Sequence, residues 1–317
     1  MSNKALVYRR FGAPESVLYI EEGTKAKLAE GMIRVKMLCA PVNASDLIPM
    51  TGAYQHRIAL PQVAGYEGTG VVTDAPSAYR YLLSRQVLAL RGEGTWQNYV
   101  DVPAALAIIV PENTEATLAA RAYINPLAAK LMISHLTPAG KHVLLTAAGS
   151  DCAMLLGQWA IRAGALSVTG IHRSPAHSSR LAQCGITPVQ ETDHDAVRHY
   201  AARAEVVYDA TGGTLAENIL EEMPVTGLFI SYGLLSGQPF RAKNSLPRIH
   251  WFHVRHYLSQ LGIDGWQQMF REIWRQLSET ETSEASVFDF ENWENAIKHY
   301  HLAGRLNKPV IQFASVS

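Results

Sequence analysis

The chain has 317 residues, with 28 Lys and Arg against 28 Asp and Glu, and 48% of it is hydrophobic. That length suits two domains with a substantial core, and the balanced charge offers no basic face to nucleic acid or anionic lipid. No stretch reaches the roughly 18 apolar residues of a membrane span, and residues 1–8 read as a polar start running into a strand rather than a secretory leader. The expected setting is cytoplasmic, with neither nucleic acid nor membrane as partner.

Residues 4–110 are rich in strand signals. Residues 33–38 alternate apolar and polar side chains, as a half-buried strand does. Residues 65–72 form a glycine-rich turn leading into a strand. Residues 86–90 and 96–102 are further strands around a turn at Gly92 and Gly94. The rhythm changes near residue 115. Residues 117–135 suit one or two helices despite Pro126, and an apolar strand at 141–146 leads through a small-residue turn into a helix at 153–163. A strand at 167–171 precedes a helix at 175–184 that Gly185 closes. Two more apolar strands, 206–210 and 227–231, have a helix between them. Strands alternating with helices indicate a parallel sheet with right-handed crossovers. Residues 117–260 are therefore expected to form a doubly wound α/β domain of Rossmann type. The tail reads as a helix at 265–279, a strand at 287–290, a helix at 292–303 with Trp293, Ala296, Ile297 and Tyr300 on its apolar face, and a strand at 308–313. It returns to the first region, so residues 1–116 and 261–317 are expected to form one discontinuous domain.

Cys39, Cys152 and Cys184 are widely separated and no Cys-x-x-Cys occurs. That leaves neither a zinc ribbon nor a redox pair, and an odd count argues against a disulfide framework. The three read as small buried residues.

Residues 147–153, Ala-Ala-Gly-Ser-Asp-Cys-Ala, lie between an apolar strand and a helix. In that context backbone N–H groups at a helix N-terminus can bind a dinucleotide's phosphates. Ser150, Asp151, Cys152 and Ala153 are the candidates. Asp151 is anomalous, because a carboxylate beside phosphates is repulsive. It could instead cap the helix, where Asp is worth about 1 kcal/mol. The following strand ends Gly-Ile-His-Arg-Ser at 170–174, without the acid that binds the ribose hydroxyls of NAD. Arg173 can fork onto a 2′-phosphate and Ser174 can add a hydroxyl, which favours NADPH. The plain alternative for Arg173 is a solvated loop cation.

Several stretches resemble the medium-chain dehydrogenase/reductases. Asn43-Ala-Ser-Asp stands where the zinc-dependent alcohol dehydrogenases of that superfamily carry Cys-Gly-x-Asp. Gly65-Tyr-Glu stands for their Gly-His-Glu, and Asn125 for a further Cys. Amides and a phenol are poor zinc ligands beside thiolate and imidazole, so no metal is expected. Tyr54, eight residues beyond Asp46, together with Gln158-Trp-Ala, 206–213 and 232–240, is similar to the zinc-free trans-2-enoyl-thioester reductase and quinone oxidoreductase branch.

That resemblance implies a Rossmann sheet inserted into a β-rich, GroES-like catalytic domain. It implies a reductase that transfers hydride from NADPH to the β-carbon of an α,β-unsaturated carbonyl. Such addition generates an enolate, which needs charge stabilisation and a proton. Tyr54 is the implied helper, and Asn43 orients the cofactor or holds the turn. Asp46 and Glu67 read as structural, and His56 is either a proton relay or a solvated loop residue. Thr211, Gly212, Tyr232, Gly233, Leu234, Leu235 and Lys308 join the cofactor set, while Tyr66, Asn125, Trp251 and Phe252 line the substrate pocket. The stretch 249–257 holds three histidines and an arginine, which suggests a metal or anion site, a pocket lining or a dimer contact. The expected substrate is a small molecule, either an enone or a thioester on coenzyme A or a carrier protein, and the expected assembly is a homodimer. The alternatives are a quinone or carbonyl reductase on the same fold, and a non-catalytic member with a degraded phosphate loop.

Overall fold

The computed structural model describes residues 2–53, 55–242, 247–258 and 260–313. Its contacts divide the chain into two units: Met1–Ile124 with Gly262–Trp274 and Glu284–Ser317, and Asn125–Leu261 with Arg275–Ser283.

The first unit opens with β1 (Ser2–Tyr8), α1 (Pro14–Val17), β2 (Leu18–Thr24), β3 (Met32–Pro41) and α2 (Ala44–Leu47). It continues through β4 (Gln62–Val63), β5 (Thr69–Asp74), β6 (Gln86–Leu88), β7 (Tyr99–Pro103), β8 (Ile108–Ile109) and α3 (Ala116–Ala119). From α4 (Ile124–His135) onward come β9 (His142–Leu145), α5 (Asp151–Arg162), β10 (Ser167–His172), α6 (Ser178–Gln183), β11 (Thr187–Gln190) and α7 (His194–Ala201). Then follow β12 (Val206–Asp209), α8 (Gly213–Glu222), β13 (Leu228–Ser231), β14 (Arg248–Trp251) and α9 (Val254–Leu258). The tail comprises α10 (Ile263–Leu277), β15 (Ala285–Asp289), α11 (Trp293–Tyr300) and β16 (Lys308–Gln312).

In the first unit β3 is the spine. It runs antiparallel to β5, β7 and β16, and the last of these brings Lys308 beside Asn43, just past the end of β3. Ile33, Val35 and Met37 alternate into the core. Arg34, on the other face, forks onto Asp101 with both N–O distances at 2.8 Å. Its charge is thus paired where it is taken out of water.

The second unit is a parallel sheet in the order β11-β10-β9-β12-β13-β14. The four residues of β12 and of β13 are buried without alternation, as strands covered on both faces require. Pro126 is tolerated because it sits in the first turn of α4, where N–H groups have no intrahelical partner anyway.

Three elements escape the sequence pattern. β11 is four residues, Thr-Pro-Val-Gln, on the outside of the sheet, where a proline costs no central ladder bond. Helix α7 carries only two buried residues, Val197 and Ala201. β14, Arg-Ile-His-Trp, has no apolar run. The segment Arg275–Ser283 joins the second unit because it is bonded along α5. Arg162 donates to the Gln276 and Glu279 carbonyls, Trp159 Nε1 to Thr280 Oγ1, and Gln158 exchanges two bonds with Glu281.

Candidate functional site

Strand order in the second unit reverses between β9 and β12. At such a switch point the carboxyl ends of the strands open a crevice, where ligands bind in open α/β sheets. One wall is the turn after β9. Ser150 is the N-cap of α5, its Oγ accepting from Ala153 N at 3.3 Å. The capping role considered for Asp151 therefore belongs to Ser150. Asp151 is the first helical residue, and its Oδ1 accepts from Ser283 Oγ at 2.6 Å. The first N–H groups of α5 have no acceptor within the helix. Cys152 lies 4.0 Å from the Asn125 carbonyl. It also neighbours the buried Tyr232 hydroxyl, whose pKa is pushed well up by desolvation.

The other wall is set by Asp209, which is fully buried. Its carboxylate accepts from Thr146 Oγ1 at 2.7 Å, Thr211 N at 3.1 Å and Gly212 N at 3.0 Å. Burial raises its pKa, and these three donors oppose the shift. Thr146 Oγ1 in turn accepts from Ala210 N at 2.9 Å. Gly212 has φ 69° and ψ −159°, a backbone state close to glycine-only. A Cβ there would stand 2.7 Å from Leu234 Cδ1 and 2.9 Å from the Gln238 carbonyl. Tyr232 N and Leu235 N donate to the Asp209 and Ala210 carbonyls. Thr211, Gly212 and residues 232–235 are thus brought together at the end of β12.

Beyond β10 the chain folds back on the phosphate-loop candidate. Ala148 N donates to the Ile171 carbonyl at 2.8 Å. His177 packs so closely on Gly149 that a Cβ there would meet its ring at 2.5 Å. Sequence reasoning did not single out His177, and no spacing marks it. His172 occupies the strand end itself, buried and bonded to the Ser174 carbonyl and Ser178 Oγ. Ser174 Oγ accepts from Ala176 N. Arg173 is exposed and makes no ion pair among the described residues.

In the first unit four buried polar groups converge. Asn43 Nδ2 donates to Glu67 Oε1 at 2.7 Å, and Lys308 Nζ donates to Asn43 Oδ1 at 2.6 Å. Glu67 Oε2 accepts from Ile124 N at 2.8 Å and Tyr123 N at 3.2 Å, which places a carboxylate at the start of α4. Asp46 accepts from Asn43 N and Tyr66 N. Its pKa is pushed up to about 7 by burial and by the nearby Glu67 charge, against its two N–H donors and Lys308. Tyr66 leaves its ring 44% exposed. Ser45 Oγ is buried with no hydrogen-bond partner among the described residues, and the sequence reading passed it over.

Tyr54 lies outside the described residues. His56 is exposed and accepts from Arg57 Nε. Asn125 is half-buried in α4. Trp251 belongs to β14 of the second unit. It ends the outermost strand, 57% exposed, stacked on Phe240 at 5.0 Å. Phe252 is buried against Tyr257. His253 and His256 pack edge to face at 5.2 Å. Among the described residues no three His, Cys, Asp or Glu side chains could hold a metal ion, and no helix is long and apolar enough to cross a membrane. Cys39, Cys152 and Cys184 are free thiols, and burial pushes the Cys39 thiol up to about 12.

The second unit's crevice suits a dinucleotide, with helix N–H groups for a diphosphate, a glycine turn after the adjacent β12 and the exposed Arg173 guanidinium beyond β10. No family model matches the chain. It is 27% identical over 285 residues to the human mitochondrial enoyl-[acyl-carrier-protein] reductase, covering 85% of this chain and 76% of that protein. A Bacillus thuringiensis structure assigned as an NADPH:quinone reductase superposes with a TM-score of 0.92 at 28% identity, covering 98% of this chain and 99% of the other. The complex of Etr1p with NADP and crotonyl-CoA superposes at 0.80 and 18% identity, over 98% and 100%, a likeness of fold. Sequence relatives and structural neighbours alike are enoyl-thioester reductases and quinone oxidoreductases, the zinc-free medium-chain dehydrogenase/reductases that the chain is similar to.

Proposed function

We propose that the chain is an NADPH-dependent reductase that reduces the double bond of an α,β-unsaturated carbonyl, an enoyl thioester or an enone, without a metal. The observation that carries this reading is the crevice of the second unit, where α5 begins after β9 and the turn at Thr211 and Gly212 follows the adjacent β12. NADPH, when bound, supplies the hydride. Ser150, Cys152 and Ala153 present the start of α5 to the diphosphate, and Arg173 pairs with the 2′-phosphate. Thr211, Gly212, Tyr232, Gly233, Leu234 and Leu235 flank the nicotinamide half. The names of the human relative and of the crotonyl-CoA complex support the substrate class.

Tyr54 is assigned proton delivery, because a phenol with pKa near 10 stays protonated at neutral pH and can serve an enolate. Asn43 acts as a positioning residue, its amide fixed between Glu67 and Lys308. Lys308 is buried on that amide, so in this reading it acts through Asn43. Tyr66 and Asn125, at two lost ligand positions, are assigned to the pocket along with Trp251 and Phe252.

The test is titration of the EDTA-treated protein with NADPH and NADH by nucleotide fluorescence, then turnover of crotonyl-CoA against a benzoquinone. Tight NADPH and weak NADH binding is expected, with Arg173→Ala losing the preference by about tenfold, one charge-assisted bond. Tyr54→Phe should slow the thioester reaction at least as much. Binding of neither nucleotide would instead support the non-catalytic alternative. A quinone reductase is the second reading, favoured by the likeness to the Bacillus thuringiensis protein over almost its whole length.

A homodimer is proposed on the outermost position of β14 and the exposed Trp251, to be tested by sedimentation. A coenzyme A rather than carrier-protein thioester is separated by assaying both. The cytoplasmic setting is proposed on the sequence and is tested by fractionation.

A further inference from the structure

Asp151 is the residue least expected in a loop that binds phosphates. As the first residue of α5 it stands at the positive end of a 12-residue helix. A carboxylate there competes with a bound anion for the same N–H groups and repels it across a short distance. Its position is nevertheless fixed from outside the helix. The segment Arg275–Ser283 runs antiparallel to α5 as a strap. Arg162 holds the Gln276 and Glu279 carbonyls, Trp159 meets Thr280, Gln158 pairs with Glu281, and Asp151 meets Ser283. Ser283 is buried, so its hydroxyl proton is committed to a partner of the interior. The helix does not need the Asp151 side chain as a cap, because Ser150 already supplies one.

We propose that Ser283 is a positioning residue for nucleotide binding, tethering the Asp151 carboxylate to the strap so that the N-terminus of α5 stays open to the diphosphate of NADPH. This rests on the cofactor reading above. The tether links a feature that would otherwise close a phosphate site with a single hydroxyl 132 positions away. It also assigns the strap a task beyond packing on α5, since its last residue sets the electrostatics of the loop.

The experiment compares NADPH dissociation constants of wild type, Ser283→Ala, Asp151→Asn and the double variant, by calorimetry at low and high salt, with melting temperatures recorded alongside. Ser283→Ala should bind about tenfold more weakly, the value of one hydrogen bond to a charged group. Part of that loss should disappear at high salt, because a carboxylate released from Ser283 acts through charge. Asp151→Asn should bind several-fold more tightly than wild type. The double variant should match Asp151→Asn, because without the charge the tether has nothing to restrain. Ser283→Thr, which keeps the hydroxyl, should bind as wild type does.

A double variant as weak as Ser283→Ala would overturn the inference and assign Ser283 to strap packing alone. So would a Ser283→Ala variant with wild-type affinity. If Ser283→Ala does not fold, Asp151→Asn decides, and affinity equal to wild type overturns the inference. Failure of the wild type to bind either NADPH or NADH removes the cofactor reading itself, whereas binding by wild type with no effect of these variants removes only the role of Ser283.

Discussion

Lys308 Nζ lies 2.6 Å from Asn43 Oδ1, across 265 positions of chain, and both residues are more than nine-tenths buried. The contact settles which way the Asn43 amide faces. An ammonium only donates and the Glu67 carboxylate only accepts, so the amide oxygen turns to Lys308 and its nitrogen to Glu67. Asn43 stands where zinc enzymes of the superfamily carry a metal ligand. In this chain that corner holds a lysine cation bound to an amide, with the carboxylates of Asp46 and Glu67 beside it.

Removing the cation should therefore be costly. Lys308→Met would leave Glu67 and Asp46 buried without the ammonium that offsets them. Leaving a buried charge without its compensating charge typically costs about 3–5 kcal/mol. Urea unfolding should show a loss of that order. Lys308→Arg should recover only part of it, because a planar fork does not fit where a compact ammonium sits. A loss below about 1 kcal/mol would show that the buried charges do not depend on Lys308.

Asp46 predicts a pH dependence of stability. Its carboxyl is held up to about 7 against an ordinary value of 3.8, chiefly by burial. The folded chain keeps a proton there that the unfolded chain releases, so this group's contribution is full below about pH 4 and is lost as pH rises towards 7. The slope is at most ~1.4 kcal/mol per pH unit. Asp46→Asn removes the titration while misplacing one acceptor, since an amide cannot accept from both Asn43 N and Tyr66 N through its nitrogen. The variant's deficit should be larger at pH 5 than at pH 8, and equal deficits would refute the assignment.

The buried hydroxyl of Ser45 makes the opposite kind of prediction. It has no hydrogen-bond partner among the described residues, two positions from Asn43. An orphaned buried hydroxyl adds nothing to stability, so Ser45→Ala should melt at or above the wild-type temperature. If the hydroxyl is reserved for the reaction, kcat/KM should fall about tenfold, the value of one neutral hydrogen bond at its upper end. A lower melting temperature with unchanged kinetics would make Ser45 structural.

The sequence made the second unit readable because its central strands are short apolar runs closed by turn residues, as at β9, β12 and β13, and that rhythm has few alternative folds. β11 and β14 were not readable for the converse reason. Outer strands are half-wet, so Thr187–Gln190 and Arg248–Trp251 carry no run of apolar residues. At the candidate site the residues were legible but their partners were not. Asp151 stood out at once, yet its bond to Ser283 reaches 132 positions away. Asn43 is marked by a missing ligand, while nothing in Lys-Pro-Val-Ile-Gln shows that its first residue is buried against that amide. Long-range polar pairing leaves no periodic signature, which is why it appears only with the fold.

Thr146 illustrates such a pairing within the crevice of the second unit. Its Oγ1 donates to Asp209 and accepts from Ala210 N, and Asp209 in turn holds the N–H groups of Thr211 and Gly212. The turn proposed to flank the nicotinamide is thus set by one hydroxyl at the end of β9. Thr146→Val keeps the shape and removes both bonds, leaving a fully buried carboxylate short of a donor and the Ala210 N–H short of an acceptor. An unsatisfied buried group costs about 1–3 kcal/mol, more when charged. The melting temperature should fall, and NADPH affinity should fall beyond the stability loss because Gly212 is held in a left-handed state that the turn must enforce. Thr146→Ser, which retains the hydroxyl, should restore affinity. If Thr146→Val lowers the melting temperature yet binds NADPH as wild type does, the Thr211–Gly212 turn is not part of the nucleotide site.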